Sequence, residues 1–152
     1  MLKAIIIAML WSISPLGEAK VGIPYGIYHD ANIYLVFITC FAANVLVFPI
    51  MIFFLEEINH LLLRFNFYKR SAIFVARRAK TGSGKQIQKY GFWGLMLFVM
   101  IPLPGTGVYA GSIASYIFKI EKKQAFIANT IGIFFSSLIV WVAAIASAKG
   151  LS

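Results

Sequence analysis

Glu18 and Lys20 are the two ionisable residues that lie deep within a hydrophobic segment of this 152-residue chain. A charge among apolar residues at membrane depth costs roughly 3 kcal/mol, so such residues usually face a cavity, pair with each other, or bind an ion or a proton. Glu18 is therefore a candidate proton- or substrate-responsive group. The alternative is a structural ion pair with Lys20 near the surface, and Lys20 could instead extend its ammonium towards water.

Two asparagines, Asn44 and Asn129, each lie within a long uncharged run. An amide in an apolar environment needs a hydrogen-bond partner, which a neighbouring helix usually provides. The two residues are predicted either to brace adjacent backbone turns or to contact a substrate.

A cluster of helix-breaking residues interrupts a third apolar stretch around Thr106. Proline removes a backbone donor and glycine favours non-helical geometry, so a continuous helix is not expected there. Unpaired amides at half-helix ends, together with the Thr106 hydroxyl, predict an anion or headgroup site, with a simple turn as the alternative. The breaking residues are Pro102, Pro104, Gly105 and Gly107.

Other signals for chemistry fail. The segment 81–86 resembles a phosphate-binding loop, but Ala79 and Gln86 replace its first glycine and its Ser/Thr. His29 and His60 are isolated and Cys40 is the only cysteine, so the sequence supports no metal site, disulfide or nucleophile. We expect neither an enzyme nor a cofactor.

The composition indicates an integral membrane protein. The chain is 61% apolar and 12% charged, whereas a soluble domain carries about 25% charged residues. The runs 31–55 and 124–148 each hold 25 residues without a charge. As helices they would be about 37 Å long, enough to cross a hydrocarbon core of about 30 Å.

Two further apolar segments are too short or too broken to cross as ordinary helices. Residues 2–14 would span only about 20 Å and lead into Pro15, Gly17 and Pro24. Residues 90–118 are uncharged but contain the cluster around Thr106. Broken backbone at membrane depth must be buried in protein or line a wet cavity, so each segment is predicted to form a re-entrant helical hairpin. A proline-kinked full span for each, giving four crossings, is the alternative.

The net charge of +9 has a simple explanation in membrane topology. With hairpins, eleven of the fourteen basic residues fall on one side, in the segments 56–89 and 119–123. The positive-inside rule then makes this side cytoplasmic, in the cell (cytoplasmic or inner) membrane, and no nucleic-acid partner is expected. The connector mixes apolar and basic residues, which predicts an amphipathic helix on the membrane surface or an ordinary loop.

The chain contains a weak internal duplication. Five identities recur with a shift of 85 residues and no gap. Each match runs from a broken segment into a full span, and the second half would enter from the opposite face. We therefore predict an all-α membrane protein of two inverted repeats in a single domain, with repeat one at 1–58, a basic connector at 59–89 and repeat two at 90–148. The matched pairs are Gly22/Gly107, Gly26/Gly111, Phe41/Phe126, Ala43/Ala128 and Asn44/Asn129.

Two stretches resemble a known family. Residues 90–111, with their IPLPGTG motif, and residues 14–24, with an acidic and a basic residue before Gly-x-Pro, are similar to the small multidrug export proteins. That family is distantly similar to the DedA/VTT membrane proteins, which implies paired re-entrant hairpins and, in some members, lipid transport. By this resemblance Glu18 matches their acidic hairpin residue. Unlike many of them, this chain has no charge from Gly91 to Phe118.

Together these features predict a small transporter that exports an amphipathic molecule, with protons as the candidate coupling ion. A lipid or lipid-carrier translocase of DedA type is the alternative, and a membrane scaffold without transport is the third hypothesis. Two crossings make a thin shell around a central site, so a homo-oligomer, most simply a dimer surrounded by membrane lipid, is expected. The N-terminal apolar segment is expected to be retained, because no small-x-small cleavage site follows it.

Overall fold

The computed structural model describes residues 1–81, 83–103 and 106–150, and this part of the chain is helical without any strand. The predicted all-α class is therefore confirmed. In chain order the helices are α1 (Leu2–Ile13), α2 (Glu18–Tyr28), α3 (Ile33–Phe53), a π-helical turn (Phe54–Ile58), α4 (Asn59–Leu62), α5 (Asn66–Ala79), α6 (Ser83–Tyr90), α7 (Phe92–Met100), α8 (Val108–Ile117) and α9 (Lys122–Gly150).

Two of these helices are long and apolar enough to cross a membrane. One runs unbroken over Ile33–Leu62 and the other is α9, with mean hydropathies of 2.5 and 2.2. Both contain the predicted spans. The first begins where the Asn32 side chain accepts hydrogen bonds from two backbone amides of the opening turn, an N-cap. Large apolar side chains such as those of Leu46 and Phe53 stay exposed on its outer face, as lipid contact requires.

The two long helices run in opposite directions. At one end of the molecule, Lys122 Nζ lies 2.7 Å from Glu56 Oε2, so the start of α9 meets the far end of the first long helix. Towards the other end, Trp141 Nε1 donates a hydrogen bond of 2.9 Å to the carbonyl oxygen of Ile33. The chain therefore crosses between these helices once in each direction.

Each broken apolar segment forms a pair of short helices rather than one kinked helix. α1 packs closely on α2, and a β-carbon at Gly22 would collide with the carbonyl oxygen of Ala8 and with Ser12 Oγ. In the second pair, α7 and α8 are separated by non-helical backbone, and a β-carbon at Gly111 would lie 2.7 Å from Val99 Cγ2 of α7. Small residues thus permit close approach within both pairs.

Replacing Gly22 by alanine is expected to destabilise the protein by about 2 kcal/mol, because the added methyl group meets backbone atoms of α1 that cannot rotate away. The midpoint of thermal unfolding in detergent micelles measures this loss. Gly150→Ala is the matched control, since nothing lies within 4 Å of a β-carbon there. Equal midpoints for the two variants would contradict the close α1–α2 contact.

The predicted turn residues have three different outcomes. Pro15 and Gly17 lie in the turn between α1 and α2, and Pro102 and Gly107 lie in the non-helical stretch between α7 and α8. Pro104 and Gly105 lie outside the described residues. The placement of Pro24 in a hairpin tip was wrong, because it stands inside α2. A helix tolerates this proline because it removes only the single hydrogen bond to the carbonyl group four residues earlier.

The short helices cross between the halves. α2 packs on both α3 and α9, and α8 likewise packs on both long helices. The buried apolar side chains form two separate clusters. One contains Ala8, Ile23 and Cys40, and the other contains Val47, Leu95 and Ile133. Residues of both long helices take part in each cluster, so these helices hold the two clusters together.

The turns that lead into the two long helices are closely alike. Asp30 and Lys119 both have a left-handed backbone, with φ of 55° and 53°. The amides of His29, Asp30 and Ala31 bond to carbonyls in the same pattern as those of residues 118–120. This correspondence is a shift of 89 residues, from Asp30 to Lys119, and not the 85 that aligns the glycines and asparagines. The identities found in the sequence are therefore displaced by about one helical turn.

The connector 59–89 is largely helical, through α4, α5 and α6. Exposed basic residues such as Arg70 and Arg77 accompany exposed apolar ones such as Phe74 on α5. Ile87 of α6 is buried and joins the apolar cluster of Val47 and Leu95, so the end of the connector is part of the packed core. The boundary between connector and second repeat is therefore less sharp than the sequence predicted.

Candidate functional site

Glu18 and Lys20 form an ion pair between the two apolar clusters. Lys20 Nζ lies 3.4 Å from Glu18 Oε2, and the side chains are 17% and 9% exposed respectively. Glu18 opens α2 with a left-handed φ of 53°, an uncommon conformation for a residue with a β-carbon. Strained backbone of this kind persists when the surrounding structure fixes it, and such positions cluster at functional sites.

The Lys20 ammonium group reaches across to the second broken segment. It donates a hydrogen bond of 2.8 Å to the carbonyl oxygen of Leu103 and another to that of Thr106. Thr106 Oγ1 in turn donates to the carbonyl oxygen of Ile101 at 2.6 Å, which shapes this turn. The tips of the two helix pairs are therefore in direct contact through Lys20.

The Glu18 carboxylate lies at the N-terminus of α8. The backbone amide of Tyr109 donates to Glu18 Oε1 at 3.4 Å, and the positive end of the helix favours an anion there. A β-carbon on Gly107 would overlap the carboxylate group, so the glycine leaves the space that Glu18 fills. The Tyr109 hydroxyl donates to the carbonyl oxygen of Ile13, which is a second link between the tips.

A small polar cavity adjoins the ion pair. Besides Glu18 and Lys20, its lining includes Asn44 of α3 and Ser136 and Ser137 of α9, and it has room for about one water molecule. Asn44 Oδ1 and Ser137 Oγ are buried without a hydrogen-bond partner. Buried polar atoms normally have partners, so these two indicate a place for a water molecule or a bound group.

The cavity lies near mid-height of the long helices. Ser136 is the central residue of the 29-residue helix α9. Asn44 is one residue beyond the centre of α3, which runs over Ile33–Phe53. If the long helices cross a bilayer, the site is therefore close to the midplane.

The structure brings most of the predicted site residues together and separates one. Glu18, Lys20, Thr106 and Gly107 meet at the tips, and Asn44 lines the adjoining cavity. Asn129 lies apart from this cavity lining. Its amide donates to the carbonyl oxygen of Ala125 in the same helix at 2.8 Å, and its Oδ1 faces Gly111 without a hydrogen-bond partner.

Sequence reasoning overlooked three residues of the site. Ser136 and Ser137 form a pair of hydroxyl side chains in the middle of an uncharged run, which was a usable signal because polar residues at that depth usually face a protein interior. Tyr109 had no such signal. Its backbone amide contributes to the site, and only the three-dimensional structure places that amide beside Glu18.

The arrangement can bind and exchange charge but shows no means of covalent chemistry. Oxygen acceptors predominate around Lys20, and they comprise a carboxylate, two backbone carbonyls and a hydroxyl. Such a set stabilises a positive charge or a proton in an apolar surrounding. The described cavity lining contains hydroxyl groups but no His or Cys that could activate a nucleophile.

Comparison with known proteins gives one match. The model of the family described as "Putative small multi-drug export protein" matches residues 18–139, which is most of the chain. The match begins at Glu18 and includes both broken tips and the cavity residues. No curated protein matches, and no solved structure matches.

Proposed function

Because the chain belongs to the small multi-drug export protein family, we propose that it is a membrane transporter that exports a small amphipathic molecule through the site around Glu18. The family name supports transport, and the two long apolar helices support a membrane location. Export itself, protons as the coupling ion, and an inner-membrane location are parts of the proposal. We propose transport rather than catalysis, and neither a metal nor a cofactor is part of it.

The contact between the two tips is the observation that carries this proposal. The Glu18–Lys20 pair bonds to carbonyl oxygens of the opposite tip, at mid-height and between two separate apolar clusters. Transporters commonly bind their substrate where broken helices of two halves meet near the midplane. Breaking a few polar contacts here would part the tips without disrupting either cluster.

We further propose that the protein is an inverted repeat with two re-entrant hairpins. The antiparallel long helices, the matching turns at Asp30 and Lys119, and the reciprocal packing of α2 and α8 support this arrangement. In it, α1 and α2 enter and leave at one face, whereas α7 and α8 do so at the other. The similarity to DedA/VTT proteins remains part of the proposal and rests on the Glu18 and IPLPGTG motifs.

Reconstitution in proteoliposomes tests the transport proposal. DNA-loaded vesicles with an imposed pH gradient report entry of ethidium, a small amphipathic cation, by fluorescence. Faster entry than into protein-free vesicles, dependent on the gradient, is the expected result. Entry no faster than in protein-free vesicles, with or without the gradient, would overturn export of this class of molecule.

A lipid translocase is the second candidate, and one observation favours it. Leu16 in the first tip is 90% exposed and Leu103 in the second is 56% exposed. Apolar side chains exposed at mid-height would open the site sideways to lipid tails. Dithionite bleaching of a fluorescent lipid in proteoliposomes tests this candidate. Bleaching well beyond half of the probe supports lipid translocation, and bleaching equal to that of protein-free vesicles excludes it.

The connector is expected to face the cytoplasm, because most basic residues lie at that end of the long helices. Cysteines introduced at Lys69 and Lys3 test this orientation with a membrane-impermeant maleimide. In intact cells Lys3→Cys should be labelled, and Lys69→Cys only after permeabilisation. The native Cys40 is fully buried and should stay unlabelled. The opposite labelling pattern would reverse the topology.

We propose a homodimer as the working unit. Within one chain, the long helices bury less than half of their most apolar windows, 39% and 28%, so wide apolar faces remain for lipid or for a second copy. Cross-linking in native membranes, followed by mass determination in detergent, distinguishes a dimer from a monomer.

A further inference from the structure

The Lys20 ammonium group occupies a set of acceptors that the rest of the protein provides. An ammonium has three N–H donors. Lys20 Nζ directs them towards the carbonyl oxygens of Leu103 and Thr106 and the carboxylate of Glu18. We call these three groups the ammonium cradle. Two of its members are backbone atoms of the second tip, whose position does not depend on the Lys20 side chain.

The occupant is more mobile in principle than the cradle that holds it. Lys20 reaches the cradle on a flexible four-carbon stem and is partly exposed. If Lys20 left, the groups exposed would all be hydrogen-bond acceptors, and one would carry a negative charge. Such a cavity would attract a cation with N–H groups and would repel an anion.

A second observation points to the same kind of ligand. Asn44 Oδ1 and Ser137 Oγ lie in the adjoining cavity without hydrogen-bond partners, and both residues are more than nine-tenths buried. They are additional oxygen atoms beside the carboxylate. Exposed Leu16 and Leu103 flank the tips and offer apolar contact to a ligand that has a hydrocarbon part.

We infer that the transported substrate is a protonated primary amine with an apolar body, and that Lys20 is a built-in competitor which the substrate amine displaces. This inference rests on the proposed transport function and names its substrate class. A primary ammonium reproduces the three donors of Lys20. A quaternary ammonium has no N–H group, and its methyl groups prevent the short contacts to the carbonyl oxygens.

Binding of a matched pair of probes tests this inference. The probes are n-hexylammonium and n-hexyltrimethylammonium, and equilibrium dialysis is performed with the purified protein in detergent. The wild type is expected to bind the primary amine about fivefold more tightly, and Lys20→Met should bind it about tenfold more tightly than the wild type does. Affinity for the quaternary probe should change by no more than about twofold in Lys20→Met.

Three outcomes would overturn the inference. These are equal affinity of the wild type for the two probes, no gain in Lys20→Met, and an equal gain for both probes. If Lys20→Met does not fold, the wild-type comparison still decides. Selective binding without transport in proteoliposomes would reject the proposed function and keep the cradle. Transport without this selectivity would reject the cradle and keep the function.

Discussion

Replacing Glu18 by glutamine is expected to abolish transport, with a loss of at least about 100-fold, and to destabilise the protein by about 3 kcal/mol. Glutamine has nearly the same shape but no charge, so the Lys20 ammonium would remain buried without its counter-charge. Initial transport rates in proteoliposomes and the unfolding midpoint in detergent measure the two effects.

The double variant Glu18→Gln/Lys20→Met separates transport from scaffolding. It removes both charges, so most of the lost stability should return, because the unpaired charge is gone. Transport should not return, since no carboxylate remains to receive a cation or a proton. A scaffold would need only stability, so restored function in the double variant would support the scaffold hypothesis and contradict transport through Glu18.

The Glu56–Lys122 pair offers a matched control for these effects. It is a shorter ion pair, but the Lys122 side chain is 68% exposed. Glu56→Gln should therefore change stability by less than about 1 kcal/mol and leave transport unaffected. A loss as large as that of Glu18→Gln would mean that charge removal in general, and not the central site, is responsible.

Replacing Gly107 by alanine is expected to have the next largest effect, a destabilisation of about 3 kcal/mol together with loss of transport. Two causes combine. Gly107 has φ 146° and ψ −160°, a region essentially limited to glycine, and its missing side chain leaves room for the Glu18 carboxylate. The methyl group would push Glu18 away from α8 and from Lys20.

Two further variants separate these causes. Gly91 also has a positive φ, of 55°, but nothing lies within 4 Å of a β-carbon there. Gly91→Ala should therefore show the backbone cost alone, about 1 kcal/mol, and retain transport. Adding Glu18→Ala to Gly107→Ala should recover part of its lost stability because the collision is removed. If Gly107→Ala were no worse than Gly91→Ala, close packing against Glu18 would be disproved.

Much of the architecture could be predicted because its signals are local. Uncharged runs of 25 residues indicate spans, and prolines and glycines near Thr106 indicate a break. The position of Pro24 was mispredicted for the same reason, since proline is usually a helix breaker but is tolerated inside α2. Asn32 as the cap of α3 is equally local and was readable in principle.

The site was predictable only in part, because its contacts join distant parts of the chain. Glu18 and Lys20 were conspicuous as charges, but their partners include backbone groups of Leu103 and Tyr109. Backbone groups are present at every residue, so nothing in the sequence distinguishes the ones that bind. Asn129 shows the opposite case, a conspicuous residue that the packing places away from the cavity lining.

The displacement between the two alignments has a consequence for binding stoichiometry. In the proposed inverted repeat, the shift of 89 residues makes Gly107 the counterpart of Glu18 and Ile133 the counterpart of Asn44, and all four residues line the cavity. One half supplies the carboxylate and the amide, while the other supplies a hydrogen atom and an aliphatic side chain. A nearly symmetric backbone thus encloses a single asymmetric site, so each chain should bind one ligand, and a dimer two.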